Sequence, residues 1–180
     1  MKVLVPGHIG KTPKDTGTIS PAGWAEASFV ASVCAAVAAN WGERQIAFAL
    51  DASGSYAERG RRADEQKAEL VVHVHADAVA AETGPDFTTV YYWPGSQVGK
   101  LAASRVAAGL SKVVPWPVKT IEANNEVWLK NVRALLAASV APAIVVELGF
   151  ADGKLGRTWL PANTSAIGRC LADALGGPIG

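Results

Sequence analysis

The chain is 180 residues long, with a formal net charge of +1 and hydrophobic residues, much of them Ala and Val, making up nearly half of it. That length supports one domain, residues 1–180, with room for a sizeable core. The near-neutral charge gives no footprint for nucleic acid or an anionic membrane, and no apolar run approaches membrane-spanning length.

The stretch Met1 to Gly7 is too short for a signal peptide and goes straight into a strand pattern, Lys2 to Val5, closed by Pro6-Gly7. His8 follows directly. Ile9 to Pro21 is rich in Gly, Thr, Pro and Lys and reads as a loop. Trp24 to Trp41 reads as a helix, because Phe29, Val33 and Val37 recur at i, i+4 and i+8 beside Val30 and Cys34. Gln45 to Leu50 reads as a second strand. Ala57 to Ala68 is a charged helix, with Glu58, Arg61, Arg62 and Glu65 at helical spacings.

The strongest strand signal is Leu70-Val71-Val72-His73-Val74-His75, an apolar run of the kind buried on both faces of a parallel sheet. Thr88 to Trp93 is a further strand carrying aromatics. Val98 to Leu110 is an Ala-rich helix. Pro115 to Lys119 reads as a stiff connection or an edge strand, since proline is confined to such places. Asn124 to Ser139 is expected to be helical, Ala143 to Leu148 a core strand, and Ala162 to Leu175 a closing helix. Strands and helices alternate, which predicts an α/β, three-layer αβα fold on a twisted, mostly parallel sheet of about six strands. Cys34 and Cys170 lie far apart without metal-type spacing and read as small core residues.

Four residues carry candidate chemistry. His75 sits where its strand ends, the side of an open α/β sheet at which ligands bind. His73 shares its strand face by parity and reads as a packed histidine or as a neighbour of the site. His8 ends the first strand in the same way. Glu26 lies on the apolar face of its helix, where a carboxylate is costly unless paired or bound to metal. Its plainer role is a first-turn acid favoured by the helix dipole, and for a lone Glu that role comes first. Glu147 interrupts the core strand Ala143-Ile144-Val145-Val146. It is either a partner of Arg61, Arg62 or Lys119, or a desolvated carboxylate able to act as a general base. Two histidines and one carboxylate are a common ligand set for catalytic zinc, with water in the fourth position. Gly7-His8-Ile9-Gly10-Lys11-Thr12 resembles the end of a phosphate-binding loop, but Val5 occupies the place of its first glycine. Pro13 also argues against a helix starting at Lys11.

Taken in order, these stretches resemble the zinc-dependent N-acetylmuramoyl-L-alanine amidases, which cut peptidoglycan between sugar and stem peptide. Pro6-Gly7-His8-Ile9-Gly10 resembles the family's Pro-Gly-His-Gly-Gly, and Gly23-Trp24-Ala25-Glu26 its Gly-x-x-Glu helix start. Arg62-Ala63-Asp64 and the run Val72-His73-Val74-His75-Ala76-Asp77-Ala78 are similar to its Arg, Ala-Asn and Ser-Ile-His-Ala-Asn-Ala segments. Pro142 to Phe150 resembles Pro-Ala-x-Leu-Val-Glu-x-Gly-Phe. The order and spacing hold along nearly the whole chain. Ile9, His73 and Asp77 depart from the pattern, standing for Gly, Ser and Asn, and Leu50-Asp51 replaces a frequent Thr-Arg.

The resemblance implies that His8, Glu26 and His75 hold Zn²⁺ and that Glu147 is the catalytic carboxylate of a single amidase domain. It implies a peptidoglycan substrate, hydrolysed by zinc-activated water; composition points to neither nucleic acid nor membrane insertion, and the oligomeric state is left open with a monomer favoured. Without a leader, the expected route to the wall is that of a phage lysin, or of a chain whose leader was trimmed. Another zinc peptidase on a similar fold is the alternative. A wall-binding module without catalysis is a third reading, which the intact set of four residues argues against. Tyr91, Tyr92, Trp93 and Trp116 are candidates for substrate contact or for the core. Lys100, Arg105 and Lys119 read as solvated charges.

Overall fold

The computed structural model describes residues 1–9, 15–41, 48–79 and 85–177. In chain order its elements are β1 (Lys2–Pro6), α1 (Glu26–Trp41), β2 (Phe48–Leu50), α2 (Tyr56–Glu65), β3 (Leu70–Asp77), β4 (Thr88–Tyr92) and α3 (Gln97–Leu110). Then come β5 (Val118–Glu122), a 3₁₀ turn (Val127–Leu129), α4 (Lys130–Leu136), β6 (Ala143–Phe150), α5 (Gly156–Ala162) and α6 (Thr164–Leu175).

The strands form one six-stranded sheet in the order β2-β1-β3-β6-β4-β5. β2, β1, β3 and β6 run parallel, β4 pairs antiparallel with β6, and β5 lies parallel to β4. The expected α/β fold with a mostly parallel sheet is what is seen, with a single reversal at β6–β4. Residues 45–47 of the expected second strand lie outside the described residues, as do Gly10 to Thr12 of the phosphate-loop resemblance. β5 takes the sheet edge just after Pro115 and Pro117, where a missing N–H leaves no central ladder bond unmade.

Alternation along the strands sorts side chains into two cores. Leu4, Val72, Val74, Ile144, Val146 and Leu148 pack on one face with Val30, Val33 and Val37 of α1, Val106 of α3 and Leu171 of α6. Val3, Val5, Val71 and Val145 face the other way, against Ala63 of α2 and Leu135 and Leu136 of α4. Covering both faces is what makes β3 an almost unbroken apolar run. Cys34 and Cys170 are both buried in the first core, each on a helix, as expected.

Two helices differ from expectation. Helix does not begin at Asn124, because the Asn124 side chain accepts the Glu126 N–H at 3.2 Å, a local turn that competes with helix. The chain therefore enters α4 through the 3₁₀ turn. A separate helix, α5, precedes the closing one and contains Pro161, so its sequence reads as a break rather than as a helix.

Candidate metal centre

Strand adjacency brings the site together. β1 and β3 are neighbours, so the segments leaving their C-terminal ends meet at one rim. β6 lies on the far side of β3, with Glu147 directly opposite His75. α1 starts at the same rim, and its first residue is Glu26.

Glu26 is buried and ties the rim together. Its Oε1 lies 3.1 Å from His75 Nδ1 and accepts the Ala76 N–H at 3.1 Å. Its Oε2 accepts the Thr18 N–H at 3.1 Å and lies 3.4 Å from His8 Nε2. Burial pushes its pKa up, but the bond to His75, the two imidazoles and the Thr18 N–H outweigh burial and hold it below the usual carboxylate value. It is ionised, as a metal ligand must be. Two glycines pack so closely on these groups that neither could carry a side chain. A Cβ on Gly7 would lie 2.5 Å from the His75 ring, and one on Gly17 (φ +64) would lie 2.6 Å from Glu26 Oε2.

His8 is held from three directions. Its backbone is left-handed, with φ at 62°, a conformation uncommon outside glycine and concentrated at functional sites. Its N–H donates to the Tyr56 hydroxyl at 3.0 Å. Its Nδ1 lies 2.7 Å from Asp15 Oδ1. With Asp15 accepting from Nδ1, the lone pair falls on Nε2, the atom turned toward Glu26. Arg59 grips the backbone on either side of His8, donating to the Pro6 carbonyl at 2.9 Å and to the Ile9 carbonyl.

Arg59 is fully buried, and the sequence reading did not single it out. Arg62, which the family resemblance marked, pairs instead with Asp51 at 2.7 Å. The charge pattern of α2 looks solvated from sequence, and only the close approach of the β1 loop turns one arginine inward.

His8, Glu26 and His75 each offer a ligand atom, and these atoms lie within 4.8 Å of one another. His75 Nε2 is buried with no hydrogen-bond partner, an unmade bond that calls for an explanation. The donor set of two imidazoles and one carboxylate suits a borderline-soft divalent ion such as zinc. The residues present fit a metal.

Glu147 stands beside this cluster. Its Oε2 is buried without a partner. Arg61 is engaged with Glu65 at 2.5 Å, Arg62 with Asp51, and the Lys119 ammonium sits 4.5 Å from the centre of the Phe87 ring. The cations considered as its partners are thus committed elsewhere. Burial, with Asp77 and Glu26 nearby, raises its pKa well above the ordinary value. His73 lies on the same strand face one step deeper. Both of its ring nitrogens lack partners, and burial, with His75 and Arg59 nearby, pushes its pKa down to about 3. It is a neutral, packed imidazole that does not belong to the donor cluster.

The cluster opens into a cleft of about 970 Å³ that includes His8, Glu26, His75, Glu147, Tyr91 and Trp128 in its lining. Of the aromatics weighed for substrate contact, Tyr91 lines this cleft. Trp116 does not. It is buried, donates to Thr88 Oγ1 at 2.9 Å and meets Trp159 edge-on. Trp93 is covered by the Arg133 guanidinium, 4.6 Å from its ring centre.

The model of the family described as N-acetylmuramoyl-L-alanine amidase matches residues 3–176. No curated protein sequence matches the chain. Among solved structures, the N-acetylmuramoyl-L-alanine amidase AmiC2 of Nostoc punctiforme is similar over 97% of this chain and 94% of its own, with TM-score 0.75 and 18% identity. Cwp6 from Clostridium difficile reaches TM-score 0.79 at 20% identity, with 97% of this chain covering 28% of that one. The catalytic domain of CwlV, an N-acetylmuramoyl-L-alanine amidase from Bacillus (Paenibacillus) polymyxa var. colistinus, gives TM-score 0.74 at 17% identity over 97% and 96% of the two chains. At these identities the likeness is one of fold.

Proposed function

The chain belongs to the N-acetylmuramoyl-L-alanine amidase family, and from that premise we propose that His8, Glu26 and His75 hold a zinc ion while Glu147 moves the protons. The protein is a peptidoglycan amidase, so its target is the bond joining the lactyl group of N-acetylmuramic acid to L-alanine. The observation that supports these roles best is the meeting of three ligand atoms within 4.8 Å, next to a half-buried glutamate on the adjoining strand whose Oε2 is buried and unpartnered.

An amide is a poor electrophile, and its amine leaves only when protonated. Zinc, when bound, would polarise the scissile carbonyl and bring the pKa of its water down to about 7. Glu147 takes a proton from the attacking water and delivers it to the departing nitrogen, so one carboxylate serves as base and then as acid. Its raised pKa suits the second half of that task, because desolvation favours the protonated carboxyl that passes the proton on. Asp15 keeps the His8 ring in one tautomer, and Arg59 and Tyr56 keep its backbone in place. Glu26 stays ionised through its bonds to His75, Ala76 and Thr18.

Digestion of purified peptidoglycan by the zinc-loaded protein tests the reading. The expected products are new L-alanine amino termini and muramic acid with a free lactyl carboxyl. New reducing sugar ends, or amines from within the stem peptide alone, would overturn it.

A further inference from the structure

The amidase reading leaves open how the substrate is gripped, and one wall of the cleft carries a largely exposed indole. Trp128 lines the cleft while remaining 63% exposed. Among the described residues, Trp128 and Val79 are the exposed large hydrophobics that line it; Ile19, Leu101, Val127, Val140 and Leu155 do not. An exposed apolar side chain needs no explanation by itself. An indole standing in the wall of a cleft beside a catalytic carboxylate does.

The wall that carries it is anchored from behind. Leu129, the next residue, is buried, as are Leu135 and Leu136 of α4. Arg133 donates to the Ala123 carbonyl at 2.6 Å and lies over the Trp93 ring. The Tyr91 ring meets the indole at 6.5 Å between centroids in an edge-on arrangement. Tyr91 is buried, and its strand places it two residues from Thr89, which pairs with Glu147. The turn is therefore fixed, and the indole is presented rather than loose, which limits the ordering cost of using it.

We infer that Trp128 is a substrate-binding platform that stacks on the apolar C–H face of the muramic acid ring, with Asn131 on the same wall within the cleft lining. This rests on the amidase reading. The sugar is joined to the reacting carbonyl through the short lactyl group, so a ring bound beside Glu147 lies within the same cleft. An indole suits it, because one rigid flat surface offers large contact area with few rotatable bonds. The stem peptide, with its flexible backbone and carboxylates, offers no comparable flat apolar face. Trp128 thus sets binding of the sugar side and takes no part in proton transfer.

The test compares Trp128→Ala and Trp128→Phe with the unaltered, zinc-loaded chain on two substrates. One is an N-acetylmuramoyl-L-alanyl peptide, and the other is a lactoyl-L-alanyl peptide that lacks the sugar. The expected result is that Trp128→Ala raises KM on the sugar-bearing substrate about fivefold, the scale of one lost aromatic contact, while kcat changes less than about twofold. Trp128→Phe recovers most of the loss, and neither variant alters KM on the sugarless substrate. An equal rise on both substrates would place the peptide, not the sugar, on the indole and overturn the inference. So would unchanged KM on both, or a loss confined to kcat. If the unaltered protein cleaves neither these substrates nor purified peptidoglycan, the amidase reading itself fails; if it cleaves peptidoglycan alone, one sugar ring does not carry the grip and the inference falls.

Discussion

The face of the sheet under α1, α3 and α6 and the rim where β1, β3 and β6 end are built from the same strands to opposite standards. On that face Val72, Val74, Val146 and Leu171 are fully buried and wholly apolar. At the rim, within a few residues along the same strands, His75 Nε2 and Glu147 Oε2 are buried with no hydrogen bond, and His8 adopts a left-handed backbone. Each of those features costs stability where it stands. The contrast teaches that the apolar face supplies the stability and the rim spends it on placing a few polar atoms.

That difference can be broken from either side. The largest effect on turnover is expected from Glu147→Gln, which keeps shape and removes the transferable proton. Turnover of peptidoglycan should fall on the order of 10³-fold with zinc content unchanged; a variant that retains activity would remove Glu147 from the chemistry. The same variant has a pH signature in the metal-free protein. Burial raises the pKa of Glu147 in the folded chain, so the folded state keeps a proton that the unfolded state has already lost. Stability from this group is therefore highest at and below the ordinary glutamate pKa and declines as pH rises above it. Denaturant unfolding across that range should show the decline in the native sequence and a flatter profile in Glu147→Gln. Equal slopes would contradict the burial argument.

Next in size is His75→Ala, which should abolish stoichiometric zinc. Elemental analysis of the purified variant checks this, and full zinc occupancy there would shift the ligand role to His73. Asp15→Asn should be milder, lowering zinc affinity about 10- to 100-fold in a chelator competition, because the His8 ring loses the carboxylate that fixes its tautomer. Unchanged affinity would make Asp15 a loop residue only. Smallest in its effect on chemistry is Leu171→Ala on the apolar face. It should cost about 2–5 kcal/mol of stability while leaving kcat as it was. A large drop in kcat with intact folding would mean that the two regions are coupled rather than separate.

The sheet was legible because its strands announce themselves. The run from Leu70 to Val74 can be little else, and the helical spacing of Phe29, Val33 and Val37 gives α1 its buried face. The four polar anomalies at His8, Glu26, His75 and Glu147 were visible one by one. Their meeting was not, because it depends on β3 lying between β1 and β6, a matter of sheet order that no local stretch encodes. Arg59 escaped notice because its carbonyl partners at Pro6 and Ile9 lie some fifty residues away. Helix α5 was hidden by Pro161, and the 3₁₀ turn that presents Trp128 was hidden inside a longer helical pattern.

The central claim is that one divalent ion sits among His8, Glu26 and His75. Anomalous diffraction at the zinc edge, from crystals grown with zinc, tests it most directly. The expected result is a single strong peak about 2.0–2.2 Å from one atom of each of these three side chains, with Glu147 beside it but not bound. A peak at any other place, or none at that rim in zinc-saturated crystals, would contradict it.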